Sequence, residues 1–242
     1  MSKQPSPSEV LEVLEHGSLE TLGLLPYSSN YTFLARACLA GVEIKTVYKP
    51  RRGERPLWDF RRGTLAAREV AAFLVSEAGG FNVVPPTVMR TDAPMGEGSV
   101  QQFIAHDPER HYFVLVEERL NDFPELAAFD IVINNADRKA GHVIEDAEGK
   151  LWAVDHGLTF NVEDKLRTVI WEFAGASLGG DAIARLEEVE VALRDARGLK
   201  GELGSLLSPE EASATLHRVE ALLEAGTFPE PDSEYRLPWP LV

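Results

Sequence analysis

The chain has 242 residues, 44% of them hydrophobic, enough for a full core in one folded unit. Its formal net charge of −15 gives no long-range attraction to nucleic acid or to anionic lipid, so neither nucleic-acid binding nor stable membrane association is expected. The single Cys38 rules out an intrachain disulfide, no stretch approaches the ~20 apolar residues of a membrane span, and Met1 to Glu9 lack the pattern of a secretory leader, so a soluble cytoplasmic protein is expected.

Ser6-Pro7-Ser8-Glu9 is a capping-box signature before Val10, Leu11, Val13 and Leu14 and predicts a first helix. Pro26 to Phe33 reads as a small polar loop between two apolar stretches, Leu22 to Leu25 and Phe33 to Leu39. Val42 to Pro50 alternates as a strand should, with Lys49 near its end. Basic residues concentrate just there and beyond: Lys45, Lys49, Arg51, Arg52, Arg55, Arg61, Arg62 and Arg68. A solvated loop is the plainer reading of that run and a substrate-docking patch the functional one. Thr64 is expected to cap, through its hydroxyl, a helix over Leu65 to Glu77 that closes at Gly79-Gly80. Gly98 to Ile104 reads as a further strand, followed by a polar connection from Ala105 to Arg110.

In the second half, Pro124 to Ile133 is helical in pattern, with Pro124 in its first turn and Leu126, Phe129 and Ile133 along one face. It leads into Asn134-Asn135-Ala136-Asp137-Arg138-Lys139-Ala140-Gly141-His142. Val143 to Asp146 and Lys150 to Val154 form a predicted hairpin around Ala147-Glu148-Gly149, and the second strand ends in Asp155-His156-Gly157. Asp137 and Asp155 are 18 residues apart, room for just that hairpin. Asp164 is expected to cap a helix from Lys165 to Phe173. Two more helices are predicted, Asp181 to Arg197 and, behind the Ser208-Pro209 capping box with Glu211, a helix running to Gly226. The last segment, Phe228 to Val242, holds four prolines and should cover the surface without regular structure.

The two acids and their hairpin resemble the catalytic loop and metal-binding turn of a kinase, where one carboxylate stands beside the accepting hydroxyl and another holds the metal. Protein kinases place Asn at the fifth position after the catalytic Asp and begin the metal turn with Asp-Phe-Gly. Here those positions are His142 and Asp155-His156-Gly157, and no Ala-Pro-Glu triplet closes a peptide-binding segment. The order Asp137-Arg138 instead resembles the phosphatidylinositol 3- and 4-kinase superfamily, especially the type II 4-kinase branch and the related HipA-like kinases, in an actinobacterial-type member. The resemblance implies an α+β, two-lobed kinase-like domain spanning 1–242, with a small β-rich N-lobe over 18–104 and a mainly helical C-lobe over 105–242. It also implies ATP with Mg2+ or Mn2+ as cofactors and transfer of the γ-phosphate to a hydroxyl of a small molecule or protein. The acidic charge argues against a lipid acceptor.

Carried over residue by residue, the resemblance makes Asp137 the group that orients or deprotonates the acceptor, while Arg138 steadies the loop or the transferred group. Lys49 is the lysine for the α- and β-phosphates, held by Glu69, with Glu77 in reserve. Ser28, Ser29 and Asn30 look like the Ser-Ser phosphate loop, although Tyr27 and Asn30 stand where glycines are expected. Main-chain atoms at Gln102 and Phe103 would meet the adenine, and Asp155 and His142 would hold the metal.

Other readings stay open. Asp137-Arg138 could be a buried ion pair in a turn, and Asp155-His156-Gly157 an ordinary strand end. An imidazole is a poor substitute for an amide oxygen on Mg2+, so His142 is compatible with one-metal catalysis, a manganese preference or a catalytically silent nucleotide-binding protein. It could also simply fix the Asp137 rotamer. AMP transfer in the same cleft is a further alternative. A hydrolytic metal centre of Asp137, His142, Asp155 and His156 is the least favoured reading, because it leaves the lysine strand without purpose. His156 is expected to be structural.

Overall fold

The computed structural model describes residues 5–26, 30–233 and 236–242. The N-lobe is a five-stranded antiparallel sheet of β1 (Ser18–Leu24), β2 (Phe33–Leu39), β3 (Val42–Pro50), β4 (Thr87–Arg90) and β5 (Gly98–Gln102), in the order β1-β2-β3-β5-β4. The alternation in β3 puts Ile44, Thr46 and Tyr48 on the buried face. Against that face lies α1 (Pro7–His16), begun by the Ser6–Glu9 capping box and contributing Val10, Val13 and Leu14 to a core with Ala35, Ala37 and Val100. Buried Arg90 of β4 donates to Leu14 O and Gly17 O, both at 2.9 Å, and so satisfies carbonyls that the end of α1 leaves open. Gly98 pairs with Pro50 at a close approach of the two backbones; a Cβ there would come within 2.4 Å of Lys49 O.

The C-lobe comprises α3 (Tyr112–Arg119), α4 (Pro124–Val132), the hairpin of β6 (Val143–Glu145) and β7 (Leu151–Ala153), α5 (Gly180–Arg194), α6 (Leu199–Leu203) and α7 (Pro209–Ala225). These labels leave α2 for the helix Leu65–Ala78 that joins the lobes, packing on β4 and β5 as well as on α5 and α6. The large core gathers Ala71, Phe73 and Val75 of α2, Phe129 and Val132 of α4, Leu186 and Val189 of α5, and Val219 and Leu222 of α7. The fold is α+β and two-lobed. No helix among the described residues is long and apolar enough to cross a membrane.

Several predicted elements differ. Thr64 precedes α2, but its hydroxyl donates to Arg61 O at 2.7 Å and accepts from Arg68 Nε, so it does not cap. The open Ala66 N–H is met instead by Glu54 Oε1 at 3.2 Å, a partner distant in sequence. The helix expected over Lys165 to Phe173 does not form. Around Thr168 the segment runs extended in an isolated bridge with Arg138, because the loop after α4 has buried peptide groups to satisfy: Arg138 N–H donates to Arg167 O, and Val169 N–H to Arg138 O. The β-branched Thr168, Val169 and Ile170 suit that conformation. Asp164 still accepts from Leu166 N–H at 3.2 Å, a local bond that imitates a cap without a helix. The fifth helix stops at Arg194, and β4 and α3 were not anticipated.

Arg68 of α2 links the elements behind the cleft. It is 2% exposed, donates to Thr159 O and pairs with Glu211 in the first turn of α7. Replacing it by Met keeps most of the volume but leaves Thr159 O and one oxygen of Glu211 without their partner. Arg68→Met should therefore cost about 3 kcal/mol in urea unfolding; a loss below about 1 kcal/mol would show that the pair does not hold α2 to α7.

Candidate active site

Lys49 stands on the face of β3 opposite Tyr48, away from α1. Its ammonium pairs with Glu69 Oε1 and lies 2.9 Å from Asp155 Oδ1. Glu69 is 2% exposed, and its second oxygen accepts the His156 N–H at 3.0 Å. One carboxylate thus fixes the lysine and the backbone of the Asp155 turn together. Glu77, the reserve partner, is exposed farther along α2, where Lys150 is the charge acting on it.

The electrostatics follow from this contact. Burial opposes the Lys49 ammonium, yet Asp155 and Glu69 outweigh it and hold its pKa above the ordinary lysine value. Lys49 holds Asp155 well below the usual carboxylate range. Burial pushes Glu69 up against the pull of Lys49. Asp155 adopts a left-handed backbone, φ 61°, that non-glycine residues rarely take. Its neighbours over-determine that geometry: Val154 N–H donates to His142 O at 2.9 Å, and Val154 O accepts from Arg138 Nη1 at 2.8 Å.

Asp137 is half-buried on the loop after α4. Asn135 shapes that loop, its Oδ1 accepting Asp137 N–H at 3.0 Å and its Nδ2 donating to Asp130 Oδ1 at 3.1 Å. Asn134, also left-handed at φ 51°, donates to Asn161 O and Glu163 O and accepts from Lys165 N–H, pinning the segment after Asp155. Burial raises the Asp137 carboxyl, tempered by Lys139, whose Nζ is 3.1 Å away. Lys139 was not singled out from the sequence, although it lies in the loop motif itself.

Arg138 needs correction as a catalytic residue. It is 0% exposed and paired with Asp130, also 0% exposed, at 2.9 Å, and it reaches His156 Nε2 at 2.8 Å. No face of the guanidinium is left for a transferred group, so it is a positioning residue. His156 is fully buried against the Phe129 ring, and burial with Arg138 nearby drives its pKa down. The imidazole is neutral with Nε2 accepting from Arg138, which makes it structural and removes it from any hydrolytic metal set.

Lys49, Glu69, Asp137, His142 and Asp155 all line one cavity of about 740 Å³, as do Lys139, Asn30, Gln102 and Phe103. Ser28 and Ser29 lie outside the described residues. Asn30 Oδ1 accepts Arg55 N–H at 2.8 Å, so its side chain already braces the neighbouring loop. The hinge expectation is narrowed: Gln102 N–H donates to Pro86 O and Phe103 N–H to Lys45 O, both at 2.9 Å. Sheet pairing has consumed both donors, and only the carbonyl side of these residues remains for a base.

Among the described residues no three His, Cys, Asp or Glu side chains are grouped as a complete metal cage. Asp155 and His142 offer two donors, with His142 Nε2 3.5 Å from Asp155 Oδ2. Such a pair fits a divalent ion that takes its other ligands from phosphate oxygens and water. Burial pushes His142 down to about 4, against the pull of Asp155, so the imidazole is neutral at pH 7 and able to ligate.

In the unfolded chain His142 titrates near 6.5, so below that value the unfolded state binds the extra proton first. The stability this group contributes is full above about 6.5 and lost as pH falls through about 4, up to about 3 kcal/mol. Urea denaturation of metal-free protein at pH 7 and near pH 4.5 should show the loss, and His142→Asn should lose less. Equal acid sensitivity in both proteins would refute it.

No family model matches the chain. It is 36% identical to Protein Rv2133c of Mycobacterium tuberculosis (strain ATCC 25618 / H37Rv), over 94% of each chain. Its fold resembles the crystal structure of a Helicobacter pylori proinflammatory kinase, CtkA, with a TM-score of 0.56 at 8% identity over 88% of this chain and 94% of that one. The chain belongs to the family of the mycobacterial Protein Rv2133c and has a kinase-like fold.

Proposed function

We propose that the chain is an ATP-dependent phosphotransferase of the phosphatidylinositol 3-/4-kinase-like type, moving the γ-phosphate of ATP to a hydroxyl of a small molecule or protein. The observation that carries the reading is the contact of one ammonium, Lys49, with both Glu69 and Asp155 in a cavity that also holds Asp137. The likeness of the fold to that of a bacterial kinase supports it. A lipid acceptor is disfavoured by the net charge of −15.

In this reading Lys49 holds the α- and β-phosphates as a point charge kept in place by Glu69. A divalent ion on Asp155 and His142 would neutralise charge on the phosphates. A neutral imidazole donor favours Mn2+ over Mg2+ there, since magnesium prefers oxygen ligands. The acceptor hydroxyl lies against Asp137, which takes its proton as the new P–O bond forms and the bond to ADP breaks. The raised pKa of Asp137 suits a base better than an ordinary surface carboxylate. The nearby Lys139 keeps it ionised.

Thermal shift with ATP and Mn2+ or Mg2+ tests binding, since a ligand specific to the folded state raises the melting temperature. A larger shift with Mn2+ is expected; no shift with either metal would end the reading. With γ-labelled ATP, wild type should transfer or release label, and Asp137→Ala should reduce this by at least about a hundredfold while still binding ATP. An equally active variant would remove Asp137 from its role, and label transferred only from α-labelled ATP would make the reaction AMP transfer.

A further inference from the structure

Beside the nucleotide cleft lies a second cavity of about 620 Å³, lined by Arg51, Arg52, Arg55 and Arg62 together with Glu54 and Glu97. Four arginines against two glutamates leave a formal local charge of +2 on a chain whose net charge is −15. Both acids are already engaged. Glu97 Oε2 pairs with Arg51 Nη1 at 2.7 Å, and Glu54 Oε1 accepts the Ala66 N–H at the start of α2. Among the described residues Arg52, Arg55 and Arg62 make no side-chain ion pair or hydrogen bond, so three exposed arginines border one volume without partners. Arg51 lies over Gly63, which has φ +74° and on which a Cβ would come within 2.4 Å of Arg51 Nε.

The three arginines left unpaired repel one another, and two glutamates, one already held by Arg51, do not balance them, although the chain as a whole supplies acids in excess. The gathering makes chemical sense if a small anion completes it. Planar guanidinium forks match phosphate oxygens in paired hydrogen bonds, and a phosphate monoester carries about −1.5 to −2 charges, close to the local excess. The volume is that of a small-molecule site. Glu54 and Arg55 line both cavities, so a ligand anchored among the arginines borders the cleft that holds Asp137. Polyanions such as nucleic acid or a charged bilayer would meet the acidic remainder of the surface, whereas a small dianion would not.

We propose that this pocket anchors a phosphate monoester group on a small acceptor, so that the molecule receiving the γ-phosphate is itself already phosphorylated. The word acceptor rests on the phosphotransferase reading; the binding of the phosphate group does not. The anchored phosphate is unchanged in the reaction. The bond between the γ-phosphorus and ADP breaks, a bond from the same phosphorus to a free hydroxyl of the acceptor forms, and the hydroxyl proton passes to Asp137.

Isothermal titration with inorganic phosphate and with glycerol 3-phosphate, in the presence and absence of saturating ATP, tests the pocket. The double variant Arg52→Gln/Arg62→Gln should weaken both probes by at least about tenfold, keep the wild-type melting temperature and leave ATP affinity within about twofold. Lys49→Met should do the reverse, weakening ATP and sparing the probes. Probe binding that survives in the arginine variant, or that ATP displaces and Lys49→Met abolishes, would overturn the proposal by assigning the phosphate to the nucleotide cleft. Arginine-dependent probe binding in a protein that does not bind ATP would support the pocket and defeat the phosphotransferase reading, so the two failures are distinguishable. A phosphoserine peptide that binds through the same arginines while glycerol 3-phosphate does not would overturn the assignment to a small molecule.

Discussion

The guanidinium of Arg138 meets the carboxylate of Asp130 with neither side chain reaching solvent, and both halves of the candidate site hang from that contact. Taking two such charges out of water costs several kcal/mol per ion, offset only when every remaining donor and acceptor is used. Here they are used. Asp130 also accepts from Asn135 Nδ2 and Thr168 Oγ1, and Arg138 also donates to Val154 O and His156 Nε2. The first pair of bonds fixes the loop that carries Asp137, and the second fixes the turn that carries Asp155. A contact of this kind contributes position more than net stability.

The second constraint is the sharing of one ammonium between two carboxylates. Glu69 is buried, and burial alone would favour its neutral acid, while Asp155 opens to the cleft. Without Lys49 between them the two acids would repel each other in a partly dry space. Because Glu69 also accepts the His156 N–H, the position of α2 is tied to the conformation of the turn after β7. The Lys49 strand, the joining helix and the Asp155 turn therefore form one mechanical unit, joined through a single glutamate.

Much of this was legible in the sequence, and for stated reasons. The capping boxes at Ser6 and Ser208, the alternation of β3 and the hairpin between the two acids are local patterns, and all appear in the fold. Glu69 could be chosen as the lysine partner, ahead of Glu77, because the kinase resemblance asks for an acid on the helix after the lysine strand and that helix was itself legible. The failures share a cause: the deciding partner is distant in the chain. Thr64 looked like a cap, but Glu54 supplies the acceptor. Lys165 to Phe173 looked like a helix, but the loop around Arg138 needs an extended neighbour. Gln102 and Phe103 keep only their carbonyls for a base, because their N–H groups are taken by Pro86 and Lys45. Arg138 was open to two roles, steadying the loop or the transferred group, and the fold decides for the loop because its side chain turns inward to Asp130 rather than pairing with Asp137.

The distribution of charge also acquires a reason once the fold is known. Of the basic residues between Lys45 and Arg68, Lys49 is drawn into the cleft, Arg68 is buried behind it, and Arg51 is held by Glu97. What looked like one basic run is therefore several unrelated groups: among the described residues Arg52, Arg55 and Arg62 stand unpaired on the second cavity, and Arg61 stands unpaired away from it. On a chain of net −15 the mean field repels anions, yet ions of opposite sign a few ångströms apart dominate over a surface average that salt screens within about 8 Å. An acidic protein can thus turn away extended polyanions and still admit one compact phosphate at one place. Selection between them then depends on how many charges the ligand must bring close at once.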